Sequence, residues 1–593
     1  MNKIKRNTFL KMGGLAMLSP LTNFFLVEEA PANSKKNVLL KDDIFKRLVT
    51  ANDRQVAKLL QIINLNNLSF SRKIGYNFAA LAASYCSPGS RFHHSPVIVS
   101  KLLQLTTLLE KAQSADGTVN IGNLESPPDT AFLLEPLAAA AYLLSKEGAA
   151  GLKNINTRIK NFMLKSGDAL IVGGIHTPNH RWVICSALAH LNMLYPNPKY
   201  IGRIEEWLGE NIFMDTDGQY PERSRNYSIV ENNSLITMGR LLNMPSLFDP
   251  VRKNLEMTYY LMEPNGELVT TDSRRQDQYE SISIVASYLH YRYLAIKDND
   301  SNFAGIAKLI EQMKGFDEMI LDKYLFHFLE NTLLQEPLPV GIPPPVNYEK
   351  LFTATNLLRI RKGKTSVTLF GGVDWPLIIA SGRSNSPNFF SFRKGNAILK
   401  YVRLSADFFS MGYFYSEGIK KERNQYTLHK NLAIPYYQPL PRSMRNSRGD
   451  YKLSPSVDGR FWNKMDFENR PVSNIKKLET TVSFEAVNGK NDLTFQVKGQ
   501  VGVPVTIELC FLAGGKLTGV SQAHDNNCFL EKGFGKYEFG ADTIHFGPGA
   551  ITHQSINELE GERYSTHFGN LRTKGMYVYL TGVTPFTHKL SFS

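Results

Sequence analysis

A proline-rich stretch divides this chain, and the residues on its two sides follow different hydrophobic periods. It runs from Gln335-Glu336-Pro337 to Pro343-Pro344-Pro345. Proline fixes φ and has no N–H to donate, so such a segment is extended and stiff and joins neither helix nor sheet. Before it, from about Lys41, apolar residues recur at three- and four-residue spacing. The clearest runs are 97–113, 130–146, 180–194, 234–242, 251–262 and 281–296, with Gly, Pro, Asn and Asp between them. After it, 357–361, 366–370, 397–404, 480–486, 493–497, 505–511 and 576–580 alternate or run β-branched and aromatic. One period cannot serve both structures, so the chain is expected to be multidomain, α then β. The helical intervals predict stacked antiparallel pairs without a strict repeat. The strand-rich half reads as an antiparallel β-sandwich. Residues 415–472 form a long, weakly patterned insert rich in Arg, Asn, Pro and Tyr. Inserts of that length are usually functional or disordered.

At 593 residues the chain exceeds one ordinary core, and 42% apolar with 21% charged residues makes it globular. Net charge is +14, but the basic residues are scattered. A nucleic-acid binder concentrates them, so no nucleic-acid partner is expected. Dispersed positive charge suits an enzyme that attracts an anionic polymer, and equally a merely soluble protein. Cys86, Cys185, Cys510 and Cys528 form no metal-binding spacing, which leaves only a Cys510–Cys528 bridge open. The N-terminus reads as an export signal over 1–32: Lys3, Lys5, Arg6 and Lys11, an apolar stretch from Met12 to Leu26, then Ala30-Pro31-Ala32. No later stretch is long and apolar enough to span a membrane, which predicts a periplasmic or secreted protein.

Three clusters carry candidate chemistry. In Thr177-Pro178-Asn179-His180, Thr177 is a plausible N-cap and Pro178 a plausible first helical residue. Asn179 and His180 would then sit at a helix start, an end that favours a bound carboxylate. Asn179 could equally be a cap and His180 structural. The second cluster, 217–227, crowds Tyr220, Glu222, Arg223, Arg225 and Tyr227 into one polar loop. A phenol titrates near about 10, and neighbouring arginines would ease its proton exchange. The third, Thr271-Asp272-Ser273-Arg274-Arg275, follows a Pro264-Asn265-Gly266 turn, and Asp272 there could orient an arginine or a tyrosine.

Together these clusters resemble the heparinase II/III and alginate-lyase group of polysaccharide lyases. The resemblance rests on the Asn-His pair, the D-G-x-Y-x-E-x-S-x-x-Y loop that follows, and the later P-N-G-E-L and D-S. It implies an (α/α) toroid, an incomplete helical barrel, over 40–335, a linker over 336–347 and a sandwich over 348–593. It implies that Asn179 neutralises a uronate carboxylate, that His180 assists it or takes the proton, and that Tyr227 acts as acid, with Tyr220 as its rival. It also implies a histidine-rich segment early in the β-domain, with zinc ligands in some members. The comparable stretch here, Ser381 to Phe392, has no histidine. Zinc is therefore not expected at that place, a structural metal in the β-domain stays open without its usual ligands in evidence, and the implied chemistry needs no organic cofactor. His429 could compensate, while Arg383 or Asn385 holds the sugar.

The resulting expectation is a lyase that cleaves an anionic, uronate-containing polysaccharide by β-elimination. Two alternatives stay open. A glycoside hydrolase would need two opposed carboxylates, for which Asp217, Glu222 and Asp272 are available. A non-catalytic glycan-binding protein is the other.

Overall fold

Helices form over most of the stretches that have the helical period, and they fall into two layers. Lys73–Cys86, Pro127–Ser145, His180–Leu194 and Arg225–Leu241 pack in succession as an inner layer. Pro96–Ala112, Lys153–Val172 and Pro198–Leu208 back them from outside. Composition follows position. Pro127–Ser145 is buried nearly all round, whereas Pro198–Leu208 buries only Tyr200 and Ile204. The short helix Leu325–Glu330 returns to the first inner helices. The computed structural model describes residues 44–63, 69–379, 382–457, 461–487, 489–522, 527–556 and 574–593; for Tyr279, 373–379 and 382–385 it describes the backbone alone. The expected export signal lies outside these residues. Among the described residues no helix is long and apolar enough to cross a membrane.

The β half is a nine-stranded sheet stacked on an eight-stranded one. Asn347–Phe352, Leu357–Lys362, Thr365–Phe370, Phe390–Lys394, Ala397–Ala406, Pro504–Phe511 and Met576–Val583 make most of the larger sheet. All the pairs are antiparallel except Asn527–Phe529 with Met576–Val583. Alternation assigns the faces. In Leu357–Lys362, Leu358 and Ile360 enter the sandwich core, while Leu357 joins the helical core. Phe390 meets Phe484 and Phe592 of the second sheet at 5.6 and 5.4 Å.

The opposite face of the nine-stranded sheet docks on the toroid. Fully buried Arg359 donates to Glu263 at 3.0 Å and to the Tyr260 carbonyl at 3.2 Å. Arg393 pairs with Glu267 at 2.5 Å. The proline segment also packs down: Ile342 N–H donates to the Ser301 carbonyl at 2.9 Å. A Cβ on Gly305 would stand 1.8 Å from the Ile342 oxygen, so only glycine permits the contact.

Two local expectations need correction. The run at 281–296 is not one helix: a short strand Ile282–Ser283 and a 3₁₀ turn Ile284–Ser287 precede the helix Tyr288–Asp298. Cys510 and Cys528 are free thiols. The strand Met576–Val583 lies between theirs, and two strand spacings, roughly 9.5 Å, exceed disulfide reach.

Candidate active site

The polar loop ahead of Arg225–Leu241 is built by its caps. Ser224 Oγ accepts the Tyr227 N–H at 3.2 Å, and Asp277 accepts the Arg225 N–H at 2.9 Å. These bonds satisfy donors that a helix start leaves over, and they set Tyr227 in the first turn. Arg223, just before the cap, has φ +49°, a left-handed conformation unusual for arginine. At this kink Glu222 is buried and half-buried Arg223 reaches the sandwich, donating to the Ala354 carbonyl at 3.1 Å.

Four side chains then form one chain of contacts. Asn179 Nδ2 donates to Glu222 at 2.7 Å. Glu222 pairs with Arg275. Arg275 donates to the Tyr227 hydroxyl at 3.1 Å and lies over its ring at 4.1 Å. Gln276 gives that hydroxyl a second donor at 3.2 Å. His180 adjoins Asn179, with the His176 ring 4.7 Å away and Phe132 at 6.2 Å. Asn179 Oδ1 and His180 Nδ1 are buried without a hydrogen-bond partner. Such atoms are costly in a folded protein, and sites of chemistry are where that cost is tolerated.

Burial sets the protonation states. It pushes the His180 imidazole down to about 3, with His176 and Arg72 acting in the same direction. It raises the Tyr227 phenol against the opposing pull of Arg275. It raises the Glu222 carboxyl too, outweighing Arg275 and Asn179. At neutral pH the phenol therefore holds its proton, and the imidazole is neutral, with one ring nitrogen free to accept a proton.

The other sequence-derived residues are distributed unevenly. Tyr220 is buried in the helical core, where its hydroxyl donates to Asn232 at 2.8 Å. Arg225 and Asp272 form a buried ion pair, with further bonds from Arg225 to the Val269 carbonyl and to Gln219, both 2.7 Å. These three build the loop and do not join the cluster of Tyr227. His429 is exposed on the face of the eight-stranded sheet turned away from its core, with Thr481 at 3.2 Å. Among the described residues no hydrogen bond or ring contact links it to Tyr227. The strand Gly382–Asn385 packs against the 3₁₀ turn Gln276–Tyr279, but the side chains of Arg383 and Asn385 lie outside the described residues. The expected cap at Thr177 is also absent. The helix starts at His180, Pro178–Asn179 form a turn, and Asn179 has helical φ and ψ with no capping bond. Arg275 and Gln276 were not singled out from sequence. They stand 48 and 49 residues beyond Tyr227, and only the Asp-Ser-Arg-Arg run hinted at a role.

Two helical layers backed by stacked, mainly antiparallel sheets make this a heparinase-like polysaccharide-lyase fold. Solved structures with the same arrangement include heparinase III, at TM-score 0.57 and 12% identity, covering 99% of this chain and 88% of that one. Another is the Streptomyces coelicolor A3 chondroitin AC lyase in complex with chondroitin sulphate, at TM-score 0.54 and 12% identity, over 99% and 82% of the two chains. The Paenibacillus xanthan lyase gives 0.53 and 12%, over 99% of this chain and 59% of its own. No protein-family model matches the sequence, and no curated protein does.

Proposed function

We propose that this chain is an exported polysaccharide lyase that cleaves a uronate-containing anionic glycan by β-elimination. The carrying observation is the Tyr227 hydroxyl, held by Arg275 and Gln276 and linked through Glu222 to Asn179. Elimination removes the C5 proton, breaks the C4–O4 bond, forms a C4–C5 double bond and returns a proton to O4. Groups whose environments push their titrations apart divide acid from base. Protonated Tyr227 is the acid for the leaving oxygen. Neutral His180 takes the C5 proton, and a substrate carboxylate nearby makes it a stronger base. Asn179 stabilises the charge that grows on the uronate carboxylate as C5 loses its proton. This is acid–base chemistry and calls for no organic cofactor. The leader over 1–32 and the polysaccharide partner belong to the same reading.

The hydrolase alternative has less support. Asp217 accepts backbone N–H groups from Ala354 and Thr355, Asp272 is paired with Arg225, and Glu222 with Arg275. None of the three is left opposite another as a free catalytic carboxylate. The test is a panel of acidic polysaccharides followed by ultraviolet absorbance and reducing-end assays. The lyase reading expects absorbance from unsaturated uronate. Reducing ends without absorbance would establish hydrolysis instead, and neither signal would leave a binding protein.

A further inference from the structure

The insert foreseen at 415–472 begins as ordinary sheet, with strands Ile419–Glu422 and Gln425–Tyr437. Its second part is an arm that leaves the eight-stranded sheet after Tyr437 and returns at Val472, its base closed by Gln438 N–H on the Pro471 carbonyl at 2.7 Å. The arm is held from within. Leu440 and Phe467 are buried, Phe467 packs 5.0 Å from Tyr437, and Ser454–Pro455 pairs with Trp462–Asn463.

Its outer surface carries exposed apolar and exposed basic side chains together. Trp462 is 66% exposed and Phe461 54%, and Leu453 and Met444 are exposed elsewhere on the arm. Arg442, Arg448, Lys452 and Lys477 are exposed and have no carboxylate partner among the described residues, whereas Lys464 pairs with Asp450 at 2.5 Å. At the foot of the arm Ile475, Lys476, Lys477, Gly499, Gln500 and Val501 line an open groove of about 370 Å³.

Register places the arm at the end of the sandwich nearest the candidate site. Phe390 pairs with Val402, and the strand Ala397–Ala406 runs on toward Phe409, whose ring packs 5.8 Å from Tyr436 at the arm's root. The hairpin that packs on the Gln276–Tyr279 turn enters Phe390 from that same end.

We propose that the arm and groove bind an anionic polysaccharide outside the catalytic cleft. Aromatic faces cover sugar rings, and the free cations pair with carboxylate or sulfate groups. The choice of ligand rests on the lyase reading and on charge complementarity with a chain of net charge +14. A protein partner would favour an interface core depleted of lysine, and a lipid surface an amphipathic helix, and the described residues of the arm have neither feature.

The test uses the full chain with Trp462→Ala and Lys477→Gln variants. Binding to chondroitin sulphate, heparan sulfate and polygalacturonate polymers is measured by titration calorimetry, with neutral dextran and phosphatidylserine vesicles as controls. Affinity for an acidic polymer should fall about tenfold or more, as when one aromatic anchor leaves an interface. Turnover of a tetrasaccharide should be unchanged. Wild-type polymer affinity in both variants overturns the proposal. So does absence of binding to all three polymers, or binding to vesicles alone. If both variants lose polymer affinity but the wild type yields no unsaturated product, the lyase reading fails and the binding surface stands. If the wild type yields that product while both variants bind polymer normally, the binding surface falls and the lyase reading stands.

Discussion

The core between the two sheets and the core of the toroid differ in kind, although the toroid-facing side of the larger sheet also buries charges such as Arg359. The core between the sheets is mostly leucine, valine, isoleucine and phenylalanine, with rings such as Phe511 and Phe546 packed 4.8 Å apart. The toroid buries titratable groups. Burial drives His190 and His327 down to about 3 and His290 to about 4, and raises Glu135 to about 7 and Glu231 well above the usual carboxylate range. Both Glu231 oxygens lack a hydrogen-bond partner. Apolar packing is the cheaper way to stabilise a fold. The helical half gives up some of that stability and holds the groups able to do chemistry, while the sandwich supplies a firm face to close on it.

The largest effect should come from Tyr227→Phe. Loss of a general acid lowers turnover by about 10²–10⁴. Arg275 and Gln276 lose their acceptor, at about 1–3 kcal/mol. Kinetics and chemical denaturation of one sample check both parts, and wild-type turnover would undo the assignment of chemistry to the toroid.

Phe390→Ala sharpens the contrast from the other side. Removing a buried phenylalanine costs about 3–5 kcal/mol, and turnover per folded molecule should hold. A fall in turnover beyond the unfolded fraction would mean that the sandwich does more than support.

Acid should separate the halves next. His180, His190, His290 and His327 have folded values below the unfolded one of about 6.5. The unfolded chain therefore binds more protons, and stability falls as pH drops from about 6.5 toward 3 to 4. Each such proton is worth about 1.4 kcal/mol per pH unit. Glu135 and Glu231 act oppositely: their folded values are raised, so their contribution is present at low pH and declines as pH rises above about 4.5. Asp215, Glu222, Glu280 and Asp322 are raised in the same way, so above about 4.5 the acids offset the histidines; below about 4 their contribution is complete and the histidines' loss remains, which puts the net loss in the toroid there. Peptide-resolved hydrogen exchange from pH 7 to 3 should show helical segments opening before the strands. Simultaneous opening would end the comparison.

Tyr220→Phe should do least. It removes one hydroxyl bonded to Asn232, worth about 1 kcal/mol, and turnover should stay at the wild-type level. Lost turnover would make Tyr220 the acid in place of Tyr227.

Much of this was legible in the sequence because period is local. The helix His180–Leu194 and strands such as Pro504–Phe511 fall where the pattern placed them. The outward face of His429 was also readable, since Tyr426 and Leu428 alternate with it. What was not legible depends on tertiary contact. Tyr220 and Tyr227 lie in one motif, and only packing decides that the first bonds Asn232 while the second meets Arg275. Arg275 and Gln276 come from a distant loop with no period at all. The start of the helix at His180 likewise reflects Asn179 reaching across to Glu222, a bond that no capping rule contains.

Asp217 ties the loop ahead of Glu222 to the sandwich by accepting the N–H groups of Thr353, Ala354 and Thr355. The residues that clasp Asp217 follow it by 136 positions, so the loop is gripped from both sides only once the sandwich has formed. A chain cut short behind the proline segment keeps every described helix of the toroid and lacks the clasp.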